Sequence, residues 1–249
     1  MNLVGVLKSA YVAGARGVGH GLRRVGVLGD ESPPRSQRGR HWAYSLFCAH
    51  DSLAIAELDV PWWTYGAIDA VEGWLADRER PVRAFEWGSG ASTLWLAQRV
   101  DRIDSVEHHR GFGDMIADEL ATRDDRRATH AVLHVVEPEP SAAPLIGSRK
   151  EGMGGLDFAG YVGHVDAVGG EFDLIVVDGR AREACLVAGL PHLAAGGIIL
   201  FDNTRRHRYR EAIEGAPVRE ERYRGLTPTL PYPDQTSILR HRATGTATA

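Results

Sequence analysis

A pair of glycines between a predicted strand and a predicted helix is the first sign of a ligand site in the sequence. A buried strand that ends in a glycine turn is predicted by V-R-A-F-E-W-G-S-G (82–90), and a helix is predicted to open at A-S-T-L-W-L-A (91–97). A strand, a tight glycine loop and a helix N-terminus in this order are typical of a nucleotide cradle. Gly88 and Gly90 would let the backbone approach a ligand closely and adopt positive φ. An ordinary strand-to-helix turn is the alternative interpretation.

An acid ends the next predicted strand, R-I-D-S-V-E (102–107). Glu107 lies about twenty residues after the glycines, where a carboxylate commonly binds a ribose and disfavours a 2′-phosphate. A dinucleotide fingerprint would have a third glycine where Thr93 stands. Glu86, at the mouth of the loop, would repel a pyrophosphate but could accept a hydrogen bond from an ammonium group or a water. These features suit S-adenosylmethionine, which has a ribose, no phosphate and a cationic amino-acid end.

The loop, the helix start and the strand ends supply the expected cofactor contacts. Ser92 or Thr93 could cap the helix, and His108, directly after the ribose acid, would flank the adenine. The residues expected to contact the cofactor are Glu86, Gly88, Ser89, Gly90, Ser92, Thr93, Glu107, His108 and Asp178.

Two later predicted strands also end in polar residues. The segment F-D-L-I-V-V-D (172–178) has the continuous apolar centre of a parallel strand buried on both faces, and it ends in Asp178. After a glycine pair, I-I-L-F (198–201) ends in Asp202 and Asn203. In open parallel sheets the ligand site lies at the carboxyl ends of the strands. We therefore expect one rim to bring together Gly88, Gly90, Glu107, Asp178, Asp202 and Asn203.

The length, composition and charge indicate what class of protein contains this predicted site. With 249 residues and 43% hydrophobic residues, the chain fits one large α/β domain with a packed core. The net charge of −4 gives no reason to expect nucleic acid or a membrane as a partner. Cys48 and Cys185 are far apart in apolar settings, which favours reduced core residues. Without an apolar run of membrane length or a signal peptide, the expected location is the cytoplasm.

The domain organisation is predicted from shifts in composition. Residues 1–40 are rich in glycine and are interpreted as an arm or linker, either packed on a second subunit of a homodimer or partly mobile. A helical cap or lid is predicted for 41–80, the ligand-binding domain for 81–240 and a disordered tail for 241–249. Within the cap, the aromatic residues Trp62, Trp63 and Tyr65 either wall a pocket or anchor a helix on the core.

The order of these motifs resembles the class I S-adenosylmethionine-dependent methyltransferases over roughly residues 60–240. The motif at 86–90 resembles the acid-x-G-x-G motif of the family, and E-W-G-S-G, V-D-G-R and F-D-N resemble a bacterial branch that acts on small molecules. The resemblance implies a doubly wound, mostly parallel seven-stranded sheet whose last strand is antiparallel, and we expect an N-terminal helical extension before it.

A finer resemblance concerns metal binding. Asp178, Asp202 and Asn203 resemble the oxygen triad of catechol-type O-methyltransferases, and such hard oxygen ligands suit Mg²⁺. The triad therefore implies a magnesium site at this rim. The alternative is that Arg180 or Arg182 pairs with Asp178, which would make the carboxylate structural.

Methyl transfer requires alignment of the acceptor and removal of its proton. Asp178 is the first candidate for the base and His207 the second, because an imidazole titrates near neutral pH. The sequence thus predicts a methyltransferase that acts on a small molecule, more readily at oxygen than at nitrogen. A nicotinamide-dependent oxidoreductase and a catalytically silent binding protein are the alternatives, and Thr93 disfavours the oxidoreductase.

Overall fold

A seven-stranded sheet forms the centre of the protein, in the order β3-β2-β1-β6-β7-β9-β8. The structure is a computed structural model that describes residues 29, 31–48, 52–122 and 130–242. Strands β1, β2, β3, β6 and β7 are parallel, whereas β9 runs antiparallel to β7 and to β8. A separate short pair is formed by β4 and β5. The strands are β1 (Arg83–Trp87), β2 (Arg102–Glu107), β3 (Ala131–Val135), β4 (Glu139–Pro140), β5 (Leu156–Asp157), β6 (Phe172–Val177), β7 (Leu193–Phe201), β8 (Val218–Gly225) and β9 (Asp234–His241).

Helices cover both faces of the sheet, as the pattern of alternating strands and helices predicts. Short 3₁₀ turns, Leu46–Cys48 and Leu190–His192, extend two of them. The helices of the described residues are α1 (Arg38–Ser45), α2 (Ser52–Glu57), α3 (Tyr65–Ala76), α4 (Ala91–Ala97), α5 (Arg110–Thr122), α6 (Ala159–Val168), α7 (Arg182–Gly189) and α8 (His207–Gly215). The fold class predicted from the sequence, a doubly wound and mostly parallel sheet with an N-terminal helical region, is confirmed.

Each buried strand divides its side chains between two apolar cores, because successive residues of a strand point to opposite faces. In β1, Ala84 lies in the core beneath α3 and α4, whereas Phe85 and Trp87 lie in the core beneath α6 and α7. Both faces are thus apolar, which explains the continuous hydrophobic run of β6. Glu86 follows the parity of Ala84 and therefore points into the first core, toward α4.

The strand order reverses at β1, and this reversal creates the place for a site. The chain passes from β1 to β2 on one side, and later returns to place β6 on the other side of β1. A crevice opens at the carboxyl ends of strands where the order reverses in this way. The backbone N–H of Asp178 donates to the carbonyl of Trp87 at 3.0 Å, so the turns that follow β1 and β6 lie against each other.

Some local details are decided only in the folded chain. Within the predicted cap, Arg38–Ser45 and Ser52–Glu57 form short helices, and Leu46–Cys48 forms a 3₁₀ turn. Leu156 and Asp157 form a short strand, and the next helix begins at Ala159. Gly90, rather than Ser92 or Thr93, is the N-cap residue of α4, because the hydroxyls of the latter two turn back toward Glu86.

The N-terminal and C-terminal predictions fall largely outside the described residues, since 1–28 and 243–249 are not among them. The described end of the predicted arm contacts α3, where Arg35 pairs with Glu72 and Arg38 pairs with Asp69. Both cysteines are buried, and neither forms a disulfide with a described residue. In the described part of the chain, no helix has the length and apolar character needed to cross a membrane.

Candidate active site

A cavity of about 660 Å³ opens at the carboxyl ends of the parallel strands. This volume lies within the usual range for small-molecule sites, about 300–1,000 Å³. Trp62 lines the cavity, whereas Trp63 and Tyr65 are buried in the core, so the aromatic segment serves both of the roles considered for it. The predicted residues that line the cavity are Gly88, Ser89, Gly90, Ser92, Glu107, His108, Asp178, Asp202 and Asn203.

Two glycines allow the turns after β1 and β6 to approach each other. Gly88 has a φ of +97°, and a Cβ there would lie 2.6 Å from the Cα of Gly179. A Cβ on Gly179 would overlap the hydroxyl of Tyr161 and would lie 3.0 Å from the backbone nitrogen of Gly88. Neither position can therefore carry a side chain without moving backbone. The sequence suggested that Gly88 is needed for close approach of a ligand. The structure shows that it is also needed for close contact with the backbone of Gly179.

Glu86 supports the glycine loop from behind and is not among the residues that line the cavity. Its carboxylate is fully buried and accepts hydrogen bonds from the hydroxyls of Ser92, Thr93 and Ser105. The Thr93 hydroxyl also accepts the backbone N–H of Gly90 at 2.9 Å, so the network reaches the loop. Burial raises the pKa of Glu86 to about 7, although these hydroxyls oppose the increase. The expectation that Glu86 and Thr93 face the cofactor is corrected, because the β1 pleat turns Glu86 toward α4.

Glu107 does line the cavity, at the end of β2. Its Oε2 accepts the backbone N–H and the hydroxyl of Ser89, both at 3.2 Å, and its Oε1 accepts the backbone N–H of His109 at 2.9 Å. His108 Nδ1 lies 2.6 Å from Oε1. Burial alone would raise the pKa of Glu107, but His108 and the backbone N–H groups outweigh it and lower the pKa. An ionised carboxylate has about four acceptor sites, and these four contacts use them, so a ribose hydroxyl would bind Glu107 by replacing one donor, such as the Ser89 hydroxyl.

Arg182, the first residue of α7, holds the rest of the rim together. Its Nε donates to the carbonyl of Gly179 at 3.0 Å, and its Nη2 donates to the carbonyl of Asp178 at 2.6 Å and lies 2.7 Å from Asp178 Oδ1. Its Nη1 donates to the carbonyl of Asp202 at 2.8 Å and to Asn203 Oδ1 at 3.1 Å. The guanidinium is only 8% exposed, and all three of its nitrogens are engaged.

The residues present do not fit the magnesium ion that the oxygen triad implied. Arg182 already occupies the position of a cation, since it contacts Asp178 Oδ1 and Asn203 Oδ1 and lies 3.9 Å from Asp202 Oδ2. Asp202 also accepts hydrogen bonds from Thr236 and Asn203 at 2.6 Å each. Among the described residues, no group of three or more His, Cys, Asp or Glu side chains could hold a metal. At this rim an arginine, Arg182, pairs with Asp178, as in the alternative considered from the sequence. The assignment of a magnesium site is not supported.

The two carboxyl groups of the rim differ in their access to the cavity. Burial raises the pKa of Asp178, in spite of the charges of Arg182 and Arg180. Burial and the adjacent Asp178 raise the pKa of Asp202 to about 8. Asp178 remains 17% exposed and lines the cavity, whereas Asp202 is 5% exposed and bonded to its neighbours. Asp178 is thus the carboxylate that a bound acceptor can reach.

His207 does not belong to the site. Its side chain is 88% exposed, and its Nδ1 lies 3.3 Å from Glu211 on the outer face of α8. The sequence placed it near the rim because it closely follows Asp202 and Asn203, but the direction of the first turn of α8 turns it outward. The assignment of His207 as a second candidate base is therefore corrected.

Three residues that contribute to the site were missed by sequence reasoning. Ser105 stands opposite Glu86 in the β1–β2 register, and this pairing of a serine with a buried acid was a readable signal. Tyr209 and Arg206 line the cavity from α8 and the turn before it, and their spacing alone gives no sign of this placement.

The arrangement fits an adenosyl group with an amino-acid end. A Cβ on Gly90 would meet nothing closer than Phe112 and Ser52, both at 3.9 Å, so the cavity side of the loop leaves space for a ligand. Glu107 stands at one end of this space and Asp178 at the middle of the rim, at the switch point where such ligands bind.

The chain is similar to known methyltransferases. A family model described as a methyltransferase domain matches residues 85–204. No curated protein has a sequence that matches this chain.

Three solved structures illustrate the structural similarity. A methyltransferase-like protein from Silicibacter pomeroyi is 20% identical, with 73% of this chain and 89% of that chain covered and a TM-score of 0.46. An S-adenosylmethionine-dependent O-methyltransferase from Thermotoga maritima is 12% identical, with 71% and 65% covered and a TM-score of 0.47. An rRNA methylase from Streptococcus thermophilus is 11% identical, with 70% and 96% covered and a TM-score of 0.44. Similarities of this size indicate neither the acceptor nor the atom that is methylated.

Proposed function

We propose that the chain, which matches a methyltransferase domain over residues 85–204, is a class I S-adenosylmethionine-dependent methyltransferase and that it methylates a hydroxyl oxygen of a small molecule. The observation that supports the proposal is the position of Asp178. This carboxylate lines the same cavity as Gly90 and Glu107, at the switch point of the sheet. The family match gives no support to the nicotinamide-dependent alternative.

We assign the cofactor contacts to the loop after β1 and to the end of β2. Glu107 accepts the ribose hydroxyls, and the bonds from Ser89 and His109 hold its carboxylate in place. His108 lines the cavity directly beside Glu107 and flanks the adenine. Gly90 gives the amino-acid end of the cofactor room to approach the backbone. Glu86 and Thr93 act as positioning residues behind the loop.

Asp178 is the proposed base. When bound, S-adenosylmethionine supplies a methyl group on a positively charged sulfur, which departs as a neutral thioether. Asp178 accepts the proton of the acceptor hydroxyl as the new oxygen–carbon bond forms. Its raised pKa makes it a stronger base than an exposed aspartate. The hold of Arg182 on Oδ1 fixes the direction of the carboxylate. Since the base must be ionised, turnover should rise with pH through the raised pKa.

The test compares Asp178→Asn with wild type in a transfer assay that uses labelled S-adenosylmethionine and a panel of hydroxylated small molecules. We expect kcat/KM to fall by about 10²- to 10⁴-fold, the usual contribution of a general base. Asparagine retains an acceptor for Arg182, so affinity for S-adenosylhomocysteine should change by less than threefold. Asp118→Asn, at an exposed position of α5, is the matched control and should behave as wild type.

The possible results separate the classes of function. Turnover that persists in Asp178→Asn would place the base elsewhere in the cavity. Binding of S-adenosylhomocysteine without transfer to any member of the panel would favour the catalytically silent alternative. A protein that binds neither form of the cofactor would overturn the proposal.

A further inference from the structure

The described part of the cavity lining carries more basic groups than its carboxyl groups can neutralise. Each of the five carboxyl groups that line it already has a hydrogen-bond or ion-pair partner within the chain. The basic residues that line the cavity are Arg149, Lys150, Arg180, Arg182, Arg206 and Arg208. The six basic groups outnumber the five carboxyl groups, and burial together with the adjacent Asp178 raises the pKa of Asp202 to about 8, which reduces its negative charge near neutral pH.

Three of these arginines form no ion pair within 4 Å in the part of the chain that the structure describes, although the charges of Arg180 and Arg206 do act on Asp178 and oppose the rise in its pKa. Arg182 pairs with Asp178, and Arg208 lies 3.7 Å from Glu183. Arg149, Arg180 and Arg206, by contrast, form no ion pair with any described residue. An unpaired arginine on an open surface is ordinary, but three that line one concave site concentrate an attractive field for an anion.

Arg180 gives the strongest indication that an acceptor group is missing. Its Nε is buried without a hydrogen-bond partner among the described residues, and its Nη1 makes only a 3.4 Å contact with the carbonyl of the preceding Gly179. A buried polar group without a partner is costly, and a charged one more so. The Nε of Arg208, on the same cavity, is also buried without a hydrogen bond, although it lies 3.7 Å from Glu183. An anion in the cavity would supply oxygens to these donors.

The arrangement of the guanidinium groups narrows the chemistry of that anion. Arginine presents a planar fork of donors that matches the oxygens of a carboxylate or a phosphate. Arg180 follows the turn after β6, and Arg206 immediately precedes α8, where its guanidinium lies 5.8 Å from the ring centre of Tyr209. In the strand order, β6 and β7 lie on the opposite side of β1 from β2, so Arg180 and Arg206 lie away from Glu107, the residue assigned to the ribose. We therefore assign them to the acceptor side of the cavity.

We propose that the methyl acceptor is a small molecule that carries a carboxylate or phosphate group, bound by Arg180 and Arg206. This inference rests on the proposed function, since it concerns the acceptor side of the same cavity. A nucleic acid fits less well, because the whole chain has a net charge of −4 and the positive groups lie in a cavity of about 660 Å³ rather than on an open face.

The cofactor itself has a carboxylate, and the experiment must separate it from the acceptor. The protein is first titrated with S-adenosylhomocysteine, which has the same amino-acid end. If S-adenosylhomocysteine does not bind, the result counts against the proposed function. If it binds, a saturating concentration occupies any arginine that receives the carboxylate of the cofactor. The loaded protein is then titrated by calorimetry, at constant ionic strength, with inorganic phosphate, 4-hydroxybenzoate and the neutral 4-hydroxybenzamide.

We expect at least one of the two anions to bind the loaded protein at least tenfold more tightly than the amide. Arg206→Gln, at an exposed position, and Arg180→Gln should each reduce that preference to less than threefold. Arg219→Gln, on the exposed face of β8 and outside the cavity, should preserve it. An amide that binds as tightly as both anions would overturn the proposal, and so would a preference that survives in both cavity variants. Tighter binding of a short RNA oligonucleotide than of either anion would assign the arginines to a nucleic acid instead.

Discussion

Replacement of Glu86 by glutamine should remove a pH-dependent cost of folding. In the folded protein this carboxyl group is fully buried and has a pKa of about 7, whereas its ordinary value is 4.5. Below pH 4.5 the group is protonated in both the folded and the unfolded state, so it contributes no pH dependence. Between pH 4.5 and pH 7 the unfolded chain releases the proton while the folded chain keeps it, and stability falls as pH rises.

The magnitude follows from the difference between the two pKa values. Each pKa unit corresponds to about 1.4 kcal/mol. Ionisation of Glu86 should therefore lower the free energy of unfolding by about 3 kcal/mol between pH 4.5 and pH 8, with the loss complete above about pH 7. Asp178 and Asp202 also have raised pKa values and add a loss of the same sign. Only the difference between wild type and Glu86→Gln isolates the contribution of Glu86.

The assay is urea unfolding of wild type and Glu86→Gln at half-unit steps from pH 4.5 to pH 8.5. The effect of glutamine on the hydrogen bonds from the hydroxyls does not depend on pH. The pH-dependent part of the difference in unfolding free energy between the two proteins therefore reports the ionisation of Glu86. We expect the variant to gain about 3 kcal/mol on wild type across this range. Glu57→Gln, at an exposed position of α2, should follow wild type at every pH. If the free energies of unfolding of wild type and Glu86→Gln change in parallel with pH, burial does not raise the pKa of Glu86.

Four further outcomes are expected. Gly88→Ala should lower the free energy of unfolding by about 2–4 kcal/mol, because its φ is +97° and its Cβ would overlap the Gly179 backbone; urea midpoints measure the change. Arg182→Met should cost about 3–5 kcal/mol in the same assay, because Asp178 would lose its buried partner. Turnover should change by less than twofold between added Mg²⁺ and added chelator, because Arg182 holds the oxygens of the rim. His207→Ala should retain wild-type turnover, since the side chain is 88% exposed.

Matched controls make these outcomes specific. Gly73→Ala, in the middle of α3 with nothing within 4 Å of its Cβ, should be neutral or stabilising by up to about 1 kcal/mol. Arg219→Met should leave stability unchanged within about 0.5 kcal/mol. A Gly88→Ala protein as stable as Gly73→Ala would contradict the backbone contact. Loss of turnover on chelation that added Mg²⁺ restores would show that the rim binds a metal. A tenfold loss of turnover in His207→Ala would show that His207 takes part in catalysis.

The convergence of the strand ends was predictable because it depends on regularities that a sequence displays directly. Parallel strands buried on both faces appear as continuous apolar runs, and the polar residues that end them must lie on the same edge. Gly88, Glu107, Asp178 and Asp202 could therefore be grouped before any coordinates were known. The same reasoning could not say which of these side chains reaches a ligand.

Side-chain direction was the part that sequence reasoning could not supply. Glu86 and Glu107 are both acids at the ends of neighbouring strands, yet only Glu107 lines the cavity. The pleat assigns Glu86 to the face of Ala84, and the face becomes known only when the helices are placed on the sheet. Arg182 was one of two arginines that could pair with Asp178, and both are long enough to do so.

The amino-acid pattern was enough to predict the succession of strands, turns and helices, and with it the resemblance to a methyltransferase domain and the edge of the sheet where the cavity opens. The folded chain was needed to show that a buried arginine stands between Asp178 and Asn203, and that Arg149, Arg180 and Arg206 line the cavity without an ion pair to a described residue. Burial and charge balance could not be predicted because they are properties of a three-dimensional neighbourhood. That neighbourhood exists here because the strand order brings the turn after β6 against the turn after β1, across a long interval of chain.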